Sequence, residues 1–130
     1  MAENGEVGST ENLRRVIEDL RALSEDIESC AVLSRDGDLI YSSPGAERER
    51  AAAMLATLVN LAERTARESG RDRAVQVRIK AGAGYLLMVS MEDGGTLAAT
   101  TGLDARVGLV LYDMRNSRNE IEKAITEGTA

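Results

Sequence analysis

The sequence predicts an α+β fold: a single five-stranded antiparallel sheet with helices on both faces, in the order α-β-β-α-β-β-β-α. Three observations predict it. From Val75 to Met114, short β segments are separated by Gly-rich turns and run directly into a helix. Tyr85 to Met91 (YLLMVSM) is apolar on both faces, as a strand covered on both sides requires. Three amphipathic stretches supply the covering helices.

The elements follow in order. Ser9 or Thr10 is placed to cap a first helix with Glu11 in its first turn. Leu13, Val16, Ile17, Leu20 and Leu23 form its apolar side, opposite Arg14, Arg15, Glu18, Asp19 and Arg21. Ser29–Ser34 and Asp38–Ser42 read as a strand pair joined at Arg35-Asp36-Gly37. Ser43-Pro44-Gly45 breaks the pattern and leads into a long helix from about Ala46 to Ser69, ended by Gly70. On that helix Leu55, Val59, Ala62 and Ala66 form one side of an apolar arc, and Met54, Leu58, Leu61 and Thr65 the other. An arc of roughly 180° exceeds the stripe of about 100° needed for one contact, so the helix is expected to bury two surfaces.

Val75, Val77 and Ile79 alternate with Gln76, Arg78 and Lys80, the pattern of a one-faced strand. Ala81–Gly84 turns the chain into Tyr85–Met91, Glu92–Gly95 turns it again, and Thr96–Thr101 is the last strand. Asp104 is placed to cap the last helix, whose buried stripe is Val107, Val110, Leu111, Met114, Ile121 and Ile125. Gly108 inside that helix suggests close backbone contact with the sheet. Residues 1–9 are expected to be a disordered tail, 10–127 the domain, and 128–130 a frayed end.

Composition narrows the function. With 130 residues the chain makes one domain with a core that must be aliphatic, since it has three Tyr and no Phe or Trp. A net charge of −6 with two Lys disfavours nucleic acid and anionic membranes. Arg64, Arg67, Arg71, Arg73 and Arg78 invite an acidic partner, but Glu63, Glu68 and Asp72 interleave with them and read as a solvated face. The single Cys30 suits a reducing, cytoplasmic location and, inside an apolar strand, reads as core. The first residues are polar, unlike a signal peptide, and no apolar run approaches the roughly 20 residues of a membrane span.

Chemistry is poorly represented. The chain has no His, no carboxylate pair at telling spacing and no phosphate-loop motif. Gly82-Ala83-Gly84 lacks the final glycine of a dinucleotide fingerprint and precedes a strand. No enzyme, cofactor or metal is expected. A strand such as Val75–Lys80 is a sticky edge unless it is paired or covered. The reading is therefore of a protein that presents surfaces.

The order of elements and several local patterns resemble the Roadblock (dynein light chain) family. They are CAVLSRDGDLIYSS, the Ala- and Leu-rich long helix, Gly84-Tyr85-Leu86-Leu87, Leu97-Ala98-Ala99 and Asp104-Ala105-Arg106-Val107-Gly108-Leu109-Val110. The resemblance spans about Leu13 to Ile125 and implies a Roadblock or profilin-like fold. It also implies a non-catalytic homodimer that binds and regulates or anchors a Ras-like small GTPase in motility, polarity or signalling. In such proteins the third strands of two protomers pair and the second helices lie side by side as a platform. Carried onto this chain, the dimer contacts would be Met54, Leu58, Leu61, Val75, Val77 and Ile79. Arg50, Thr57 and Arg64 would face the partner. The alternative is a small-molecule-sensing or general interaction module on a profilin- or PAS-like sheet, against which the scarcity of aromatic residues counts.

Overall fold

The computed structural model describes residues 2–43 and 48–129. Within them are helix α1 (Ala2–Leu23), strands β1 (Ile27–Leu33) and β2 (Leu39–Ser42), helix α2 (Arg48–Glu68), strands β3 (Gln76–Ala81), β4 (Gly84–Ser90) and β5 (Thr96–Thr101), and helix α3 (Val107–Thr129). The strands form one antiparallel sheet in the spatial order β2-β1-β5-β4-β3. The predicted α+β architecture and element order are both found. Pro44 to Glu47, and with them the predicted start of the second helix, lie outside the described residues.

The middle strand is β5, whose small residues face the helices. It pairs with β1 (Cys30 opposite Ala99, Val32 opposite Leu97) and with β4 (Leu87 opposite Ala99, Val89 opposite Leu97). Alternate residues point to opposite faces, so Cys30, Val32, Leu87, Val89, Leu97 and Ala99 line one face. The antiparallel pair α1 and α3 covers it with Leu13, Ile17, Leu20, Val110, Met114 and Ile121, all at most 2% exposed. This is the main aliphatic cluster, and it lies on one side of the sheet; on the other face Met88 and Ala98 are also at most 2% exposed.

Turn geometry follows the glycines in two places. At the end of α2, Gly70 has φ of 75°; its N–H donates to Arg67 O and that of Arg71 to Ala66 O, the pattern of a Schellman cap. At Gly84 a Cβ would lie 1.8 Å from the carbonyl oxygen of Thr101, so this crossing of β4 and β5 admits no side chain.

The helix ends differ from the sequence reading. α1 is helical from Ala2, so residues 2–9 continue the helix where a tail was expected, and the Ser9 or Thr10 cap is not its start. Gly5 and Gly8 weaken this segment but do not stop a helix once it is extending. α3 likewise runs on through Thr129, past the expected end at Glu127. Its start is later than expected, at Val107, which leaves Asp104 in the preceding turn rather than at the cap. The cap comes from a distant residue: Asp26, after α1, accepts the Arg106 backbone N–H at 2.9 Å and its guanidinium at 3.4 Å. Local sequence ranks Asp104 first because a cap usually comes from the adjacent chain. Tertiary contact between the end of α1 and the start of α3 supplies the acceptor here. Gly108 faces outward, and a Cβ there would meet nothing within 4 Å, so it marks no close approach to the sheet.

The two glycines should therefore respond with opposite sign to the same substitution. Gly84→Ala is expected to cost about 3 kcal/mol or more through the backbone clash, whereas Gly108→Ala should gain about 0.5 kcal/mol of helix propensity. Urea unfolding of the two variants checks both. For Asp26, the hydrogen bond from the Arg106 N–H holds its carboxyl below the usual aspartate range, with the guanidinium adding to this. A depressed folded-state value stabilises above the ordinary range and is lost as pH falls through the folded value. Asp26→Asn should thus be less stable than the parent at about pH 7, and the gap should close by about pH 2.

Candidate functional site

The second face of the sheet carries α2 alone. Ala56 stands over the β1–β2 turn, where a Cβ on Gly37 would meet Ala56 Cβ at 3.0 Å. Farther along, Val59, Ala62 and Glu63 face Val77 and Met88. α2 therefore crosses one end of the sheet, from the β1–β2 turn to the start of β3. One side of its apolar arc is used in this way: Leu55, Val59, Ala62 and Ala66 are partly buried. The other side is not, with Met54 66% and Leu61 60% exposed and Leu58 between.

Beside that uncovered side lies an open groove of about 700 Å³. Met54, Leu58 and Leu61 form its helical wall, and Leu86, Ala98 and Thr100 its floor. Ser29 and Thr100, on neighbouring strands, share a hydrogen bond between their hydroxyls at the floor, so the polar atoms there satisfy each other. Leu86 and Thr100 carry no local signal of a site. In the sequence, Leu86 reads as one more apolar residue of an interior strand, and only the partial cover by α2 exposes it.

β3 is the open edge. Val77 and Ile79 share the α2 face, by their pairing with Met88 and Leu86, and are half-buried; Val75 is 52% exposed. Ser90 N–H donates to Val75 O, and the alternation of an antiparallel ladder then turns the N–H groups of Gln76, Arg78 and Lys80 away from β4. The expected interface residues thus fall on two sides of α2: Met54, Leu58 and Leu61 on the groove, Val75 and Val77 on the side toward β3. Thr57 and Arg64 are exposed on α2, where Thr57 Oγ1 donates back to Ala53 O at 3.0 Å. The side chain of Arg50 lies outside the described residues.

Chemically the site is quiet. Burial pushes the Cys30 thiol up to about 12, with Arg21 opposing weakly, so it stays protonated and is no nucleophile at neutral pH. Among the described residues, no group of three or more His, Cys, Asp or Glu could hold a metal ion. No described helix is long and apolar enough to cross a membrane. What the arrangement offers is apolar area and an unpaired strand edge.

Comparison with known proteins agrees with the architecture. MglB of Myxococcus xanthus superposes with a TM-score of 0.79 at 16% identity, covering 92% of this chain and 91% of that one. A Roadblock/LC7 domain from Streptomyces avermitilis has a TM-score of 0.61 at 29% identity, covering 82% and 95%. LokiProfilin1, solved with rabbit actin, has a TM-score of 0.61 at 18% identity, covering 89% and 96%. No curated protein sequence matches the chain. The Roadblock/LC7 domain profile matches residues 15–101, from α1 through the last residue of β5. The chain belongs to the Roadblock/LC7 domain family.

Proposed function

We propose that the protein is a non-catalytic homodimeric platform that binds and regulates or anchors a Ras-like small GTPase, in a motility, polarity or signalling role in the cytoplasm. The observation that carries this reading is the coincidence on one face of an unpaired strand edge and an apolar helix side left open. Each alone is a liability in water. Association of two chains along β3, with α2 of each brought to the common face, would cover both at once. An obligate interface of that kind buries on the order of 2,000 Å² or more. The family membership and the likeness to MglB support the same arrangement.

The platform would act without supplying reacting groups. A GTPase held on it is regulated to the extent that it is bound more tightly in one nucleotide state than the other. Arg50, Thr57 and Arg64, on α2, are the positions assigned to that contact. Thr57 exchanges its bond to Ala53 O for one to the partner at little cost, since the carbonyl remains in the helix ladder.

One observation favours a second reading. The groove's volume lies within the range of small-ligand pockets, roughly 300–1,000 Å³. A sensing module would use it for an apolar ligand, with the Ser29 and Thr100 hydroxyls as its polar point.

Light scattering is expected to give twice the 13.9 kDa of one chain; a monomer at micromolar concentration would sink the platform. Val77 already faces Val59 and Ala62, so a charge there disturbs the fold. Arg78→Pro removes an outward N–H from the edge without touching the ladder to β4, and Leu61→Glu charges an exposed position of α2. Each should weaken the dimer at least tenfold with unfolding temperature little changed. For the partner, a purified Ras-like GTPase from the same genome, loaded with GDP or a non-hydrolysable GTP analogue, should bind the parent in a nucleotide-dependent way. Arg64→Glu should weaken that binding. Equal binding to both nucleotide forms would leave an anchor and exclude a regulator.

A further inference from the structure

The face of the sheet opposite α2 carries a second surface. From Ala74 to Met91 the sequence contains no carboxylate, in a chain that has 22 Asp and Glu and a net charge of −6. The same holds for Arg115-Asn116-Ser117-Arg118-Asn119 in the middle of α3. The fold puts these two acid-free segments side by side. Arg115 Nη1 donates to Gln76 Oε1 at 3.0 Å, which ties this turn of α3 to the start of β3. Arg118 donates to Ser90 O and Arg73 to Met91 O, both at 3.2 Å, so two guanidinium groups meet consecutive carbonyls at the end of β4.

The row continues along the edge. Gln76, Arg78 and Lys80 lie on the face shared with α1 and α3, since they pair with Val89, Leu87 and Tyr85. Arg78 is spread over the Tyr85 ring, 5.5 Å from its centroid, and so is held flat against the sheet. At roughly 7 Å for every two residues, the cations from Arg73 and Arg118 to Lys80 form a strip along one strand. Every acceptor these side chains reach is neutral. The ion pairs found among the described residues involve Arg14, Arg67 and Arg106 instead. Asp113 and Glu120 flank the segment on α3, and Glu122, one turn beyond Arg118, accepts the Glu92 backbone N–H at 2.6 Å. The interleaving that marks a solvated face therefore applies to Arg64, Arg67 and Arg71, on and just after α2, and not to Arg73 and Arg78. The fold separates the two sets and joins the second to α3.

We infer that this strip, formed by β3, the middle of α3 and Arg73, is a docking surface for an extended acidic segment of another protein. Its shape and setting select that occupant. Within one chain the strip is about one strand and one helical turn wide, which fits a single peptide; pairing along β3 would set two such strips side by side, each with its own α3 wall. A membrane or nucleic acid would also bring its charge against the acidic remainder of the chain, within a Debye length of about 8 Å at physiological salt. A short Asp- and Glu-rich segment meets only the cations. Two flat guanidinium groups held by carbonyls keep free N–H donors for carboxylate forks. The surface is separate from α2 and complete within one chain, so it goes beyond the platform reading and leaves α2 free.

The probe is a fluorescein-labelled twelve-residue peptide of alternating Glu and Ser, titrated with the full chain and read by anisotropy. Binding is expected at low salt and should weaken progressively as salt is raised. Lys80→Gln combined with Arg115→Gln should weaken it at least tenfold. Arg14→Gln with Arg15→Gln, the same charge change on α1, should leave it within twofold. Equal losses in the two double variants would reduce the effect to net charge and overturn the inference. So would absence of binding at low salt, or stronger retention on phosphatidylserine vesicles or a single-stranded oligonucleotide than on the peptide. Light scattering of the same samples keeps the dimer question apart: a monomer that binds the peptide refutes only the pairing of β3, and a dimer that does not bind it refutes only the strip.

Discussion

The unequal cover of the sheet governs the rest of the structure. Two long helices, α1 and α3, pack together on one face and enclose the aliphatic core. A single helix lies on the other and cannot span five strands, since a helix is only about 10 Å wide with its side chains while strands are spaced about 4.8 Å apart. The first face is therefore a finished interior. The second is a surface with apolar residues that have no cover in one chain. The closed core is concentrated on one side of the sheet and uncovered apolar area on the other, and the five strands hold the two apart.

The open face offers apolar area rather than a metal-binding cluster or an ionised thiol among the described residues. Several titratable side chains hold local structure. Asp26 holds the start of α3, and Glu11 and Glu18 hold Arg14 on the outside of α1. Cys30 is locked in the thiol form by burial. On the proposed platform, a surface of Met, Leu and backbone edge would be read by shape and area, so specificity would come from what surrounds the apolar patch.

Much of this was legible in the sequence because period and burial agree. Tyr85–Met91 is apolar on both faces and is an interior strand. The wide arc of α2 does divide into a side against the sheet and a side left open. Gly70 ends its helix by the geometry its position implies. The failures share one cause. For Asp104, Gly108 and the residues flanking Ser9, sequence offers only near neighbours, whereas the cap of α3 is made across 80 residues. Gly108 has no neighbour at all at its Cα face. The groove floor and the cationic strip were invisible for the same reason. Leu86 and Leu58 come to line one groove, and Arg115 meets Gln76, only once the chain has folded. Spacing along a chain shows which face a residue takes, and not which distant segment will lie against it.

The pairing of β1 with β5 has a consequence for how the molecule forms. Ser29 and Thr100, which meet near one end of this ladder, are 71 residues apart. A chain emerging from the ribosome completes α1, β1, β2 and α2 long before β5 exists, and β1 then has one filled edge and one empty. Closing so long a loop is slow, although the entropy cost grows only logarithmically with its length. Until it closes, the two hairpin halves of the sheet are joined only by the chain through α2. Two nascent chains held close together can fill that empty edge of β1 with each other's β5, giving an exchanged pair whose sheets contain the native neighbours but from two different molecules. Refolding at high concentration favours that product, and slow release of single chains favours the closed one.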